Sequence, residues 1–172
     1  AFEKILQYYV DAHLFRAITL RLFDVYGEDD QRPKLLNLLK EIAGTDKSID
    51  MSPGSQYLDI VHISDVCSAY LKAFEYLVTN NDISNGIYGV YTGNRLTLKQ
   101  IVVEFEKVMD KKIKVNWGSR PYKKREVMNP TTVYSQLPNW HPSVKPLNGL
   151  ALFNNSGGVI CKYLCSNLNF AA

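Results

Sequence analysis

Apolar and polar positions alternate in two rhythms along this chain. Phe2, Ile5, Leu6, Tyr9 and His13 recur at helical spacing and predict an amphipathic helix. Residues 17–23 (AITLRLF) switch to a period of two, with Ile18, Leu20 and Leu22 on one face, and predict a strand. Val25-Tyr26-Gly27 and the acidic Glu28-Asp29-Asp30 are expected to end that strand in a loop. Pro33 is placed to be the first residue of a helix bearing Leu35, Leu36, Leu39 and Ile42, and Gly44 stops it. Beyond the turn Ser52-Pro53-Gly54-Ser55, a strand is predicted from Leu58 to Ile63. Ser64 is expected to cap the next helix, whose buried stripe would be Val66, Tyr70, Ala73, Phe74 and Leu77.

Gly86 to Tyr91 predict a further strand, and Thr97-Leu98-Lys99-Gln100 forms a capping box. The helix it opens should turn Ile101, Val102, Phe105, Val108 and Met109 inward, and Ile113, Val115 and Trp117 alternate as a short strand. Residues 118–146 are rich in Pro and Tyr and mostly irregular. Strands alternating with helices over the first two-thirds imply crossover connections, so the class is α/β with a mainly parallel sheet. Residues 151–172 lose all periodicity and are expected to form a weakly ordered tail.

Composition narrows the classes. A length of 172 residues suits one domain, and 46% hydrophobic with 22% charged residues argues against disorder. The formal charge of +3 suits anionic small molecules and argues against a dedicated nucleic-acid binder. Cys67, Cys161 and Cys165 make no paired framework, which favours a reducing, cytoplasmic setting. No apolar run approaches the roughly 18 residues of a membrane span, so no membrane partner is expected. The chain opens within a helical pattern and without Met, as a segment cut from a longer one would.

Three motifs invite chemistry and fail on inspection. In Gly86-Ile87-Tyr88-Gly89-Val90-Tyr91-Thr92-Gly93 the glycines lie within a strand instead of the turn that opens a helix, so they are not a dinucleotide fingerprint. His62, Ser64 and Asp65 are sequence neighbours with no nucleophile elbow around Ser64, and a packed His62 with a capping Ser64 is expected. Cys161 and Cys165, with only His141 as a further soft ligand nearby, do not suggest zinc.

Two places keep a functional and an ordinary meaning side by side. Asp24-Val25-Tyr26 follows the carboxyl end of a central-looking strand, where open α/β sheets bind ligands, or is simply a loop. Arg120-Pro121-Tyr122-Lys123-Lys124-Arg125 sets four cations around an aromatic. They clamp a diphosphate through charge-assisted hydrogen bonds or form a solvated basic face.

Taken in order, these stretches resemble the C-terminal half of the nucleotide-sugar epimerase/dehydratase family, the extended short-chain dehydrogenases. The resemblance rests on Ala17 to Gly27, Gln56 to Val66, Gly86-Ile87-Tyr88 with Gly93 and Leu96-Thr97-Leu98, Arg125-Glu126-Val127-Met128, and Trp140-x-Pro142. It covers residues 1 to about 150 and implies half of a Rossmann-type parallel sheet with a small substrate-binding lobe. It implies NAD or NADP as cofactor, a nucleotide-diphosphate sugar as partner, and a homodimer surface that includes the first helix. Its flavour is closest to the 4-ketosugar reductases of surface-polysaccharide (O-antigen) biosynthesis. The family's Tyr-x-x-x-Lys has no counterpart, since no Tyr here has a Lys four positions on, so the resemblance assigns no catalytic residue. It sets Phe23 near the nicotinamide, Asp24 in place of a substrate-binding Asn, and Lys34 and Leu35 at a helix start touching the nucleotide. Leu58 replaces a phosphate-binding Arg, and Lys123, supported by Lys124 and Arg125, stands at the other. A non-catalytic interaction or nucleotide-binding module is the competing expectation.

Overall fold

The computed structural model describes residues 2–27, 30, 32–82, 84–146 and 148–149. The expected tail at 151–172, with Cys161 and Cys165, lies outside these residues. Helix α1 (Phe2–Asp11) leads through the left-handed His13 (φ 57°) into strand β1 (Ala17–Leu22). After Phe23 come β2 (Asp24–Tyr26), α2 (Leu35–Ile42), β3 (Ser48–Met51), β4 (Tyr57–Leu58) and β5 (Ile60–His62). Then follow α3 (Ile63–Thr79), β6 (Asn85–Val90), β7 (Leu96–Thr97), α4 (Leu98–Met109) and β8 (Lys114–Trp117).

Three strand pairs are parallel: β1 with β6, β2 with β5, and β3 with β8; β4 and β7 pair antiparallel. The predicted α/β class with parallel crossovers therefore holds. The segment expected to be a loop after β1 is instead a strand. Phe23 interrupts the run, and Asp24 to Tyr26 resume it against Ile60 to His62. Apolar side chains at both Val25 and Tyr26 suit that half-buried ladder.

Two apolar clusters organise the chain. In one, α3 sets Val66, Ala69 and Ala73 against Ile18 and Leu20 of β1 and Val61 of β5, with Leu137 and Trp140 closing the far side. In the other, Leu36 and Leu39 of α2 meet Leu98, Ile101, Val102 and Phe105 of α4 over β3 and β8. Burying a side chain such as Phe105 contributes on the order of 1.5–3 kcal/mol. Helix α4 starts as its sequence predicts. Thr97 Oγ1 accepts from Gln100 N, and Gln100 Oε1 accepts from Thr97 N.

Helix α3 departs from expectation in two ways. Its N-cap is His62, not Ser64; the strand's extended backbone carries on to His62, and the ring nitrogen Nδ1 accepts from Ser64 N at 3.3 Å. Its buried stripe is narrow and made of small residues, which allows close approach to β1. Tyr70 and Phe74, one position on from Ala69 and Ala73, fall about 100° further round the helix and are exposed. Leu22 is exposed too, although Ile18 and Leu20 of the same strand face are packed. Helix α2 begins two residues after Pro33, because Lys34 is extended and serves as the cap residue. Among the described residues, no helix is long and apolar enough to cross a membrane.

Candidate functional site

The break at Phe23 has a geometric result. Phe23 N donates to Val90 O, ending the β1–β6 ladder, and its ring lies 5.6 Å from that of Tyr91. The next residue, Asp24, then opens the β2–β5 ladder at the carboxyl end of the run. A cleft of about 240 Å³ forms there, lined in part by Asp24, Asp30, Lys34, Asn37, Leu35 and Leu58. Three of the residues the resemblance assigned to substrate, Asp24, Lys34 and Leu35, thus share one cavity.

Most of the cleft's polar groups are already engaged. Lys34 Nζ donates to Val25 O at 3.0 Å and lies 3.4 Å from the Asp30 carboxylate. Asp30 takes two hydrogen bonds from the Arg32 guanidinium, at 2.7 and 2.8 Å, which hold its carboxyl well below the usual carboxylate range. Asn37 Nδ2 donates to Asp30 O and Arg32 O. Tyr26 Oη donates to Pro146 O at 3.0 Å, and its ring stands edge-on to His62. Asp24 differs: its carboxylate makes no hydrogen bond to another described residue. Asp24 is solvent-exposed as a whole, but partial desolvation of its carboxyl pushes its pKa up, Lys34 opposes that shift, and Asp59 adds to it.

Tyr26 belongs to the Asp24-Val25-Tyr26 candidate read from the sequence, whereas Asp30 and Asn37 are additions from the structure. Asp30 belongs to the acidic run expected to end the strand in a loop, and its spacing to Arg32 and Lys34 is the available signal. Asp59 was also missed. It is buried beside Leu58 and accepts from Thr92 N, Thr92 Oγ1 and Gly93 N at 2.7–2.8 Å, tying β5 to the loop after β6.

Lys123 and Arg125 are exposed and do not line the cleft. They sit on a tight turn in which Glu126 N donates to Lys123 O and Lys123 N donates to Glu126 Oε2. Tyr122 and Met128 moor this turn: Ser55 N donates to Tyr122 Oη, and Tyr57 N donates to Met128 O. Since Leu58 follows Tyr57 in β4 and lines the cleft, the basic turn and the cleft wall are joined through two adjacent residues. Tyr122 is spent on Ser55 and offers less of its hydroxyl to a ligand.

His62 is buried with Nδ1 2.7 Å from Ser64 Oγ, but Asp65 is turned away to Ser143 and Val144. That is a helix cap, not a relay. Gly86 and Gly89 lie in the β1–β6 ladder, where an added Cβ would meet the Tyr88 and Tyr91 rings at 2.7 and 2.8 Å. Among the described residues they form no cradle for a dinucleotide pyrophosphate, and no metal-binding group of side chains is present.

Residues 1–86, half of the chain, match the model of the NAD dependent epimerase/dehydratase family. CDP-abequose synthase of Yersinia pseudotuberculosis is 28% identical over 137 residues, which are 78% of this chain and 46% of that protein. UDP-glucose 4-epimerase of Thermotoga maritima, solved with UDP-glucose, superposes with a TM-score of 0.74 at 20% identity over 89% of this chain and 49% of its own. The Stenotrophomonas maltophila epimerase, solved with NAD and formylated UDP-arabinopyranose, gives 0.72 at 13% identity over 90% and 52%. The chain therefore spans about half the length of the curated relatives it matches, and the two solved structures share its fold.

Proposed function

The chain belongs to the NAD dependent epimerase/dehydratase family, and from that premise we propose that it carries the substrate-binding part of an NAD(P)-dependent nucleotide-sugar enzyme. The class we favour is a 4-ketoreductase, epimerase or dehydratase of surface-polysaccharide (O-antigen) sugar biosynthesis, working in the cytoplasm. The observation that carries this is the cleft at the carboxyl end of the β1–β2 run, which gathers Asp24, Lys34 and Leu35. Clefts in that position are where open α/β sheets take their ligands. In such an enzyme the nicotinamide supplies or accepts hydride. The 172 residues contribute recognition of the nucleotide-diphosphate sugar, with Lys123 and Arg125, outside the cleft lining, as diphosphate contacts and Phe23 as the residue nearest the cofactor. No Tyr-x-x-x-Lys occurs among them, so we assign this chain no proton-transfer step.

Calorimetric titration of the 172-residue chain with a nucleoside diphosphate sugar tests the proposal. Saturable binding that weakens with added salt is expected. Absence of binding up to about 1 mM ligand, equivalent to roughly 4 kcal/mol, overturns it.

A second role rests on a separate observation. Helix α1 exposes Phe2, Ile5 and Tyr8 at 74%, 56% and 67% of their surface. Apolar side chains grouped on one helix in this way mark an association surface, and we assign it to a homodimer.

A further inference from the structure

The segment from Arg120 to Met128 is a strap held to the body of the chain at both ends and at its middle. At the start Arg120 N donates to Met51 O at 3.2 Å, and at the end Tyr57 N donates to Met128 O at 2.9 Å. Between these ends, among the described residues, the hydrogen-bonded tie to the body is Tyr122. Ser55 N donates to Tyr122 Oη at 3.1 Å, and the Ser55 and Tyr122 hydroxyls share a second bond at 2.5 Å. Tyr122 is partly buried while Pro121, Lys123, Lys124 and Arg125 around it are exposed, so it is the side chain that the strap turns inward. The support it meets is well braced. Ser55 lies in the link between β3 and β4, and on either side of it Gly54 O and Gln56 O accept from Lys99 N and Leu98 N at the start of α4. Gly54 is buried at φ 79°, and an added Cβ there would meet the Trp117 ring at 2.5 Å, so this link has little freedom to shift.

We propose that Tyr122 is a positioning residue for the diphosphate contacts: its hydroxyl fastens the strap to Ser55 and so holds Lys123 and Arg125 in a fixed place relative to the cleft wall at Leu58, without touching the ligand itself. Ordering a backbone costs free energy, and so does fixing long cationic side chains on a phosphate. An anchor in the middle of the strap removes the backbone share of that cost before the ligand arrives. The inference rests on the nucleotide-sugar function proposed above and adds to it a residue that acts through its neighbours. It also gives the aromatic within the basic cluster a task other than stacking on the base.

The test titrates CDP-glucose into the 172-residue chain, unmodified and as Tyr122→Phe, at two salt concentrations. The variant keeps the ring and loses only the hydroxyl, so it separates the bonds to Ser55 from any stacking. Tyr122→Phe should weaken binding by about fivefold, the loss expected for one hydrogen bond. It should also flatten the salt dependence, because cations that no longer meet the phosphates leave less for salt to screen. Ser55→Ala, which removes the second hydroxyl but keeps the Ser55 backbone donor, should reproduce part of both effects. In a chain already carrying Lys123→Ala and Arg125→Ala, Tyr122→Phe should add almost nothing, since the anchor then has no contact left to place. Full additivity there means that Tyr122 meets the ligand directly and overturns the inference. Unchanged affinity in Tyr122→Phe overturns it too, as does a lowered melting temperature with the salt dependence intact, the mark of a residue that serves the fold alone. Each of these leaves the nucleotide-sugar function standing. Failure of the unmodified chain to bind CDP-glucose overturns both.

Discussion

The Asp65 carboxylate accepts a hydrogen bond from the Ser143 hydroxyl at 2.7 Å, across 78 positions of sequence. The same carboxylate takes the Ser143 and Val144 backbone N–H groups. Asp65 is buried at 1% exposure, so these three donors replace the water it gave up. They also tie the irregular segment after Trp117 to the first turn of α3, where a negative charge favours the helix dipole.

Asp65→Ala should therefore destabilise the chain by about 2–4 kcal/mol, because it strands donors that have lost their water. Ser143→Ala removes only one hydroxyl and should cost about 1 kcal/mol. Urea unfolding measures both; a shift of Asp65→Ala no larger than that of Ser143→Ala would contradict this account.

The basic turn gives the second expectation. Lys123→Ala and Arg125→Ala should each weaken binding of a nucleoside diphosphate by roughly 1–3 kcal/mol and flatten its salt dependence. Both side chains are exposed, so the fold should not change. Titrations at two salt concentrations read the effect, and equal affinity in the double variant would leave the cluster a solvated face.

Acid stability should carry two opposite signatures. Partial desolvation raises the Asp24 pKa above its ordinary 3.8, so the stability this group contributes is present below that value and lost as pH rises through the folded one. Asp24→Asn should then gain on the unmodified chain as pH increases. Glu106 behaves the other way. Burial alone would raise its pKa, but Ile113 N–H and Lys112 outweigh that and hold it below its ordinary 4.5. Its contribution is present above that value and lost as pH falls through the folded one. Glu106→Gln should be less stable by about 1 kcal/mol near neutrality and converge with the unmodified chain in acid. Thermal melts across the acid range would reveal parallel curves if either assignment were wrong.

For the exposed face of α1, Ile5→Lys should shift the proposed dimer toward monomer. Sedimentation velocity at several concentrations reads the change. A monomer in the unmodified chain at all of them would remove the association surface from consideration.

Much of this was legible in the residues because local and long-range requirements agreed. Thr97 and Gln100 cap α4 from within four positions, and the β1 alternation survives at Ile18 and Leu20. The misses share one cause: each depended on a partner distant in the chain. Val25 and Tyr26 read as a loop because their ladder partners, Val61 and His62, lie 36 residues on. Tyr70 and Phe74 read as core because helical spacing gives a face its period without saying which side meets the sheet. At the site, the strand end pointed to Asp24, but only the hydrogen bonds consumed by Lys34, Asp30 and Asn37 distinguish it from its neighbours. Lys123 and Arg125 were grouped with it by resemblance, and the fold places them outside the cleft.

The exchange of partners at Phe23 also bears on how the molecule comes apart. Because the six-residue ladder with β6 and the three-residue ladder with β5 meet at one residue, fraying that starts at Ala17 has no hydrogen-bonded path into Asp24. The two ladders can open as separate units with separate exchange rates. A ligand seated on Asp24 would then slow amide exchange at Val25, Val61 and their neighbours while leaving Thr19 and Ile87 at their original pace.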